Sequence, residues 1–171
     1  RFDPQKNQKY AVEILAECRK KNFPAKLILI GEGPLMETVR QQVEELQLQK
    51  YVIFTGLQKD VVPFYQAMDF FLLPSFYEGL PGVAVEAQAS GLRGILSDAI
   101  TTETAMTSLM EFRSVQEPPE VWADRIMACG HYERQNTLVQ MQKAGFDVKS
   151  LAKQLQDFYL RVNEDHTQKF W

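Results

Sequence analysis

The amino-acid sequence predicts an α/β fold, namely a doubly wound parallel sheet with helices on both faces. Short, fully apolar segments alternate with amphipathic helical segments, and turns rich in glycine and proline separate them. Such apolar runs are typical of strands that a parallel sheet buries on both faces, and right-handed crossovers connect these strands. The length of 171 residues, 45% of them hydrophobic, fits one domain over residues 1–171.

The elements follow one another in a regular order along the chain. Asp3 and Pro4 combine a helix N-cap with proline at the first helical position, and their helix is predicted to run to about Lys21. A C-terminal helix and tail are predicted at 148–171. Strands are predicted at 26–30, 51–55, 70–73, 94–97 and, more weakly, 112–115, and the other helices at 35–46, 60–68, 81–90 and from Pro118 and His131 onward.

Ligands of such sheets bind at the loops that follow the carboxyl ends of the strands. Here these loops are 31–34, 55–57, 75–82 and 97–103. The first loop, Gly-Glu-Gly-Pro, lacks a Cβ at two positions, so that backbone or ligand can come close to the start of a helix. A tight strand-to-helix turn explains this loop equally well. It matches neither the dinucleotide-binding fingerprint nor the Walker loop.

The segment 78–86, Glu-Gly-Leu-Pro-Gly-Val-Ala-Val-Glu, is more specific. Pro81 starts a helix, so the amides of Gly82, Val83 and Ala84 are expected to lack intrahelical partners and to point into the ligand cleft. The helix dipole adds roughly half a positive charge at this end, and the glycines let an anion approach closely. The segment therefore predicts a binding site for a pyrophosphate.

Two carboxylates flank this predicted anion site. Glu86 is the only charged residue between Pro81 and Leu92, and we expect a buried carboxylate that accepts hydrogen bonds from the hydroxyls of a ribose. Glu78 lies before the helix, where it is placed to bind a second set of hydroxyls. The alternatives are a solvated loop acid at Glu78 and, at Glu86, an acid bound by a backbone amide or an arginine. A glycosidase pair is disfavoured, because neither acid has an environment that would keep it protonated.

Cations are expected from the first residues of the chain. Arg1 and Lys6 flank the Asp3 cap, at the end of what would be a preceding strand, and both are expected to lean over the same carboxyl edge. There they would supply the positive charge that a diphosphate leaving group requires. The alternative is a pair of solvated surface cations.

Composition argues against several classes of protein. The formal net charge of −3 gives no basic field for nucleic acid. Cys18 and Cys129 lie far apart, with only His131 and His166 beside them, so neither a disulfide framework nor a zinc site is expected. No apolar run approaches the length of a membrane span, and no signal-peptide pattern is present. We expect a cytoplasmic protein without a metal or other cofactor.

Six ordered segments, spread over nearly the whole chain, resemble a known family. They are 1–7, 27–34, 52–56, 67–75, 78–81 and 85–91, and seven residues separate the two glutamates of the signature, Glu78 and Glu86. Together they resemble the C-terminal, donor-binding domain of glycosyltransferase family 4, which is one Rossmann-like half of the GT-B fold. The run that begins at Glu86 is similar to the capsular and exopolysaccharide branch. Because the sequence begins at Arg1, in the middle of the alternating pattern of strands and helices, we expect an N-terminal acceptor domain to be missing.

The resemblance implies retaining, metal-independent transfer of a sugar from a nucleotide sugar, expected to be a UDP-sugar, to a saccharide or lipid-linked acceptor. By motif match, Glu78 would bind the sugar hydroxyls, Arg1 and Lys6 the diphosphate, and Glu86 the ribose. The other implied donor-binding residues are Gly33 beside the nucleotide, Gly56 and Leu57 at the base, Gly79, Leu80, Pro81, Gly82 and Val83 along the sugar and phosphates, and Glu103 near the phosphates.

The chain departs from the family pattern at 91–94, where Gly-Leu-Arg-Gly replaces the common Gly-Leu-Pro. Arg93 is therefore expected to bring a charge beside the site. The domain alone is expected to bind nucleotide weakly and to transfer nothing, whereas the intact protein would act in the cytoplasm, at the inner face of the membrane. Two other functions stay open, a non-catalytic nucleotide- or sugar-binding module and a GT-B nucleotide-sugar epimerase.

Overall fold

The computed structural model describes residues 1–167, in which parallel strands and helices follow the predicted order. The strands are β1 (Leu27–Ile30), β2 (Val52–Gly56), β3 (Phe71–Leu73), β4 (Gly94–Ser97) and β5 (Met110–Arg113). The α-helices are α1 (Gln8–Lys20), α2 (Met36–Glu45), α3 (Val62–Ala67), α4 (Gly82–Ala89), α5 (Pro119–Cys129), α6 (Leu138–Lys143) and α7 (Val148–Thr167). The end of the predicted tail, 168–171, lies outside the described residues.

The strands form two parallel sheets rather than one. β1 pairs with β2, whereas β4 lies between β3 and β5. No backbone hydrogen bond joins β1 to β3 in the part of the chain that the structure describes. An apolar groove of about 890 Å³, lined by both of these strands, lies between them. The predicted parallel α/β fold is confirmed, but its sheet is divided at this groove.

Helices cover both faces of the three-stranded sheet because successive side chains of a strand point to opposite faces. In β4, Ile95 packs against Trp122 of α5 and against α1, whereas the next residue, Leu96, packs against Ala87 of α4 on the other face. Helix α1 also reaches the two-stranded sheet, where it packs with α2 against β1 and β2. This alternation confirms the prediction of helices on both faces.

The first predicted helix is interrupted. Asp3 does act as an N-cap, because its Oδ1 accepts a hydrogen bond from the amide of Gln5 at 3.0 Å. However, the turn that it caps is a short 3-10 helix that ends at Lys6. Asn7 follows in the left-handed conformation, with φ of 51°, which breaks the helical path before α1 begins. The single helix predicted to start at Asp3 is therefore wrong in its first turn.

Two later boundaries are also corrected. The helix predicted from His131 begins only at Leu138, whose amide donates to Oδ1 of Asn136 at 3.0 Å. This side-chain bond makes a turn that starts the helix there. The last strand begins at Met110 rather than Phe112, because its first residue pairs with Gly94 at the start of β4. No helix within residues 1–167 is long and apolar enough to cross a bilayer.

Candidate functional site

The first residues of the chain lie across the carboxyl ends of the strands. The amide of Phe2 donates to the carbonyl of Glu32 at 2.9 Å, which fixes the chain beside the loop after β1. The carbonyl of Gln5 accepts a hydrogen bond from the amide of Phe76 at 2.8 Å, which fixes it beside the loop after β3. The predicted cations and the predicted acidic loop therefore meet at one edge, as the sequence indicated.

Glu78 lies at the centre of this edge, and only 11% of its side chain is exposed. Its Oε1 accepts hydrogen bonds from Nζ of Lys6 at 2.5 Å and from Oγ of Ser75 at 3.1 Å. A backbone bridge to Ile100 places the loop after β4 alongside. Glu78 is therefore not the solvated loop acid that the sequence left open. Its Oε2 accepts no hydrogen bond from the described residues and is available to a ligand hydroxyl.

Lys6 and Arg1 lie on the same edge, but each is already paired with a carboxylate. Lys6 forms the ion pair with Glu78, and 24% of its side chain is exposed. Nε of Arg1 lies 2.5 Å from Oδ2 of Asp3, and 71% of the Arg1 side chain is exposed. Lys6 is therefore a partly buried, oriented cation. Arg1 is a surface cation with freedom to move toward a ligand.

Helix α4 begins at Gly82 at this edge, with Pro81 as its N-cap residue. In the described chain, the amides of Gly82 and Val83 donate to no protein acceptor. The amide of Ala84 donates to the carbonyl of Pro81 at 3.0 Å, so the predicted free amide at Ala84 is wrong. This happens because the first turn closes with a 3-10 bond. A Cβ added at Gly79 or Gly82 would meet no atom within 4 Å, so both glycines border open space near the start of α4.

Glu86 is exposed, so the predicted burial of this carboxylate is wrong. Its Oε2 instead accepts a hydrogen bond from Oη of Tyr65 at 2.9 Å, and Tyr65 is only 5% exposed. Burial and the contact with Glu86 raise the pKa of the Tyr65 phenol, which stays a donor. The ring of Tyr65 packs in the core with residues of β3 and α4. Its hydroxyl escaped notice because only the packing of α3 against α4 brings it to Glu86.

The remaining predicted positions surround the same edge. Gly33 allows the backbone of Phe2 to pass, since a Cβ there would lie 2.3 Å from the Phe2 carbonyl oxygen. Gly56 has φ of +66°, and Leu57 beside it is 75% exposed. Glu103 is exposed in the 3-10 turn Thr102–Thr104, after β4. The close approach of Phe2 therefore explains why position 33 requires glycine, independently of the expected approach of a nucleotide.

Arg93 does not lie beside the site, and the expectation that it brings a charge there is wrong. It precedes β4, at the amino end of the strand, whereas the site lies at the carboxyl ends. Its guanidinium carbon lies 4.6 Å from the centre of the Tyr132 ring, and its amide donates to Oη of Tyr132 at 2.8 Å. Proline has no amide hydrogen and could not make this bond.

Gln88 anchors the far end of α4, and its side chain is fully buried. Its Nε2 donates to the carbonyl of Thr104 at 2.8 Å, and its Oε1 accepts hydrogen bonds from the amides of Met106 and Thr107 at 3.0 and 3.1 Å. Its carbonyl accepts a hydrogen bond from Oγ1 of Thr137 at 2.7 Å. The helix that starts at the site is thus fixed to the segment that follows Glu103.

Within residues 1–167, no cluster of three or more His, Cys, Asp or Glu side chains is arranged to hold a metal ion. The polar groups at the edge include two free amides, the partly buried Lys6–Glu78 ion pair, the ion pair of Arg1 with Asp3 and one exposed carboxylate held by a tyrosine. Together they define an open α/β domain in which a helix with two free amides begins at the carboxyl edge of the strands.

Comparison with known proteins identifies the family. The profile of the family described as "Glycosyl transferases group 1" matches residues 1–130, and the chain belongs to this family. EpsF of Bacillus subtilis (strain 168) is 33% identical over 171 residues, which is 97% of this chain and 44% of EpsF. The UDP-Gal:alpha-D-GlcNAc-diphosphoundecaprenol alpha-1,3-galactosyltransferase of Escherichia coli is 32% identical over 101 residues, 57% of this chain and 26% of that protein.

Solved structures show the same fold. The crystal structure of Anabaena Alr3699/HepE in complex with UDP superposes with a TM-score of 0.76 at 22% identity, over 94% of this chain and 47% of HepE. The chain thus spans less than half the length of each of these proteins. The resemblance to GT-B glycosyltransferases is confirmed, and the roles of individual site residues stay predictions.

Proposed function

We propose that the chain is the donor-binding half of a two-domain glycosyltransferase that transfers a sugar from a UDP-sugar to a saccharide or lipid-linked acceptor. The observation that carries this proposal is the meeting, at one edge, of the free amides of α4 with the Lys6–Glu78 pair. Two comparisons support it: the name of the E. coli galactosyltransferase specifies UDP-Gal and a diphosphoundecaprenol acceptor, and HepE crystallises with UDP.

The start of α4 is proposed to bind the diphosphate. The amides of Gly82 and Val83 are unpaired among the described residues, the helix dipole is positive at this end, and Gly79 and Gly82 border open space. Lys6 lies at the same edge and would place its ammonium between Glu78 and the phosphates. These groups would stabilise the negative charge that develops on the departing diphosphate.

Glu78 and Glu86 are proposed to orient the two ends of the donor. The free Oε2 of Glu78 would accept a hydrogen bond from a hydroxyl of the transferred sugar, while Lys6 and Ser75 hold its Oε1. The hydroxyl of Tyr65 orients the carboxylate of Glu86, which would accept hydrogen bonds from the ribose hydroxyls. We propose that transfer proceeds with retention and that protein cations rather than a metal ion stabilise the leaving group. The acceptor would bind to the other half of the longer enzyme, at the membrane surface.

The two carboxylates are expected to respond differently to replacement. Glu86→Ala should weaken binding of UDP and of UDP-glucose alike, by about 10-fold or more, because a charged hydrogen-bond acceptor for the ribose is lost. Glu78→Ala should leave UDP binding nearly unchanged and weaken only UDP-glucose, by a similar factor of about 10. Isothermal titration of the chain with both ligands checks this result.

Glu44→Ala, an exposed acid on α2, serves as the control variant and should change neither affinity. Equal losses for both ligands in both site variants would contradict the division of roles. In the longer enzyme, turnover of UDP-glucose that requires an acceptor would support transfer. Conversion of the donor without an acceptor would indicate an epimerase, and binding without any turnover would indicate a non-catalytic module.

Tyr65→Phe tests whether the tyrosine orients Glu86. This change removes the hydroxyl that donates to Glu86 and keeps the buried ring. We expect binding of UDP and of uridine to weaken by about 3- to 10-fold, with little change in thermal stability. The measurement is titration of both ligands, with Tyr159→Phe on exposed α7 as the control. An unchanged uridine affinity in Tyr65→Phe would show that the hydroxyl does not act through the ribose site.

A further inference from the structure

The 3-10 turn Pro4–Lys6 is held in place before the chain reaches the loop after β3. Phe2, two residues ahead of the turn, is only 1% exposed, and its amide is bonded to the loop after β1. Oδ1 of Asp3 accepts a hydrogen bond from the amide of Gln5 at 3.0 Å, and the Asp3 carbonyl accepts one from the amide of Lys6 at 3.1 Å. The backbone of Gln5 therefore has a fixed position relative to the two-stranded sheet.

Gln5 contacts the loop after β3, residues 74–81, at two neighbouring peptide groups. Its carbonyl accepts a hydrogen bond from the amide of Phe76 at 2.8 Å, and its Nε2 donates one to the carbonyl of Tyr77 at 2.7 Å. Phe76 and Tyr77 are themselves 48% and 64% exposed, so packing of their side chains does little to fix the loop. The two hydrogen bonds of Gln5 are therefore a principal constraint on this backbone.

The second of these hydrogen bonds acts directly on the residue that follows. The carbonyl of Tyr77 and the amide of Glu78 belong to one planar peptide unit, so a bond that fixes the carbonyl also fixes the plane that leads into Glu78. Lys6, the next residue after Gln5, forms the ion pair with Oε1 of Glu78. Adjacent residues of one turn thus hold Glu78 at its backbone and at its carboxylate.

The side chain at position 5 must meet a specific chemical requirement. A carbonyl oxygen only accepts hydrogen bonds, so the partner of the Tyr77 carbonyl has to be a donor. A lysine or arginine would donate too, but its charge would compete with Lys6 for the carboxylate of Glu78. The amide of Gln5 is a donor without net charge, so it fixes the backbone and leaves the ion pair intact.

We propose that Gln5 is a positioning residue for recognition of the donor sugar. Its amide holds the peptide unit between Tyr77 and Glu78, so that Oε2 of Glu78 faces the hydroxyls of the transferred sugar. This inference rests on the proposed role of Glu78 in binding that sugar. Because Gln5 acts through Glu78, its contribution to affinity depends on the sugar of the donor and not on the nucleotide.

Gln5→Met tests this inference, because methionine has a similar length and shape but no hydrogen to donate to the Tyr77 carbonyl. We expect Gln5→Met to bind UDP-glucose about 3- to 10-fold more weakly and UDP within about 2-fold of the original affinity. In a chain that already carries Glu78→Ala, Gln5→Met should weaken UDP-glucose no further, because the residue through which Gln5 acts is gone. Isothermal titration of the original chain, both single variants and the double variant measures these affinities.

Gln41→Met is the matched control. Nε2 of Gln41, on α2, donates to Oε1 of Glu45 at 2.9 Å, so this variant also loses a side-chain hydrogen bond, and it should change neither affinity. Equal losses of UDP and UDP-glucose binding in Gln5→Met, or additive losses in the double variant, would overturn the inference, since Gln5 would then affect the edge as a whole.

The two proposals fail in different ways. If Glu78→Ala weakens UDP-glucose alone but Gln5→Met leaves its affinity unchanged, the inference about Gln5 is overturned and the proposed role of Glu78 stands. If Glu78→Ala does not weaken UDP-glucose more than UDP, the proposed role of Glu78 is wrong, and the inference about Gln5 falls with it.

Discussion

Lys6→Ala is expected to weaken binding of UDP to the chain by about 10- to 100-fold, the largest effect that we expect of a single site residue on binding. Lys6 is partly buried at this edge, so a phosphate that binds beside its ammonium meets a cation that water screens only in part. Uridine, which has no phosphates, should bind to Lys6→Ala and to the original chain equally well. Titration of both ligands checks this prediction.

Lys9→Ala is the matched control for Lys6. Lys9 lies three residues further along the chain, on α1, and is exposed, so its replacement should leave the affinity for UDP unchanged. Comparable losses in Lys6→Ala and Lys9→Ala would point to a general effect of net charge rather than to a phosphate contact. A parallel loss of uridine binding in Lys6→Ala would show that the variant disturbs the edge as a whole.

Trp122→Ala is expected to lower the free energy of unfolding by about 3–5 kcal/mol, the largest effect on stability in the chain. Trp122 is fully buried between α5, α1 and β4, and its ring meets that of Tyr10 edge to face, with the ring centres 5.6 Å apart. Its Nε1 donates to the carbonyl of Ser114 at 3.0 Å, so the replacement also removes this hydrogen bond, and that carbonyl keeps only the one from the amide of Glu117 at 3.2 Å. Urea unfolding monitored by circular dichroism measures the change.

Two further variants keep this prediction testable if Trp122→Ala fails to fold. Trp122→Phe keeps most of the buried ring but loses the hydrogen bond to Ser114, and we expect a loss of about 1–3 kcal/mol. Val139→Ala changes a residue that is 59% exposed on α6 and should cost less than about 0.5 kcal/mol. If all three variants unfold at the same urea concentration, α5 is not part of the cooperative core.

The sequence predicted the order of the elements because apolar runs and turn residues act locally. It also predicted which loops share an edge, since parallel strands end on the same side of a sheet. The helix from His131 was wrong because a side chain, that of Asn136, sets the start of α6 at Leu138. The interruption at Asn7 was missed because a single left-handed residue leaves no periodic signal.

Within the site, residue types were easier to predict than their surroundings. Glu86 was expected to be buried because its helix is otherwise uncharged, but its position toward the open edge leaves it exposed. The pairing of Lys6 with Glu78 was not foreseen, since 71 residues lie between them and only the tertiary fold brings them to 2.5 Å. Arg93 was misplaced although its position directly before the predicted strand already indicated the amino end of β4, opposite to the carboxyl edge that forms the site.

The buried amide of Gln88 has a thermodynamic consequence for any ligand that binds at the start of α4. Its hydrogen bonds to Thr104, Met106 and Thr107 fix the helix before the ligand arrives. The conformational entropy lost on binding is therefore confined to the ligand and to mobile side chains such as that of Arg1, 71% of which is exposed. An anion held by the amides of Gly82 and Val83 meets dipoles that are already aligned, so its affinity depends on their direction rather than on the ordering of a loop.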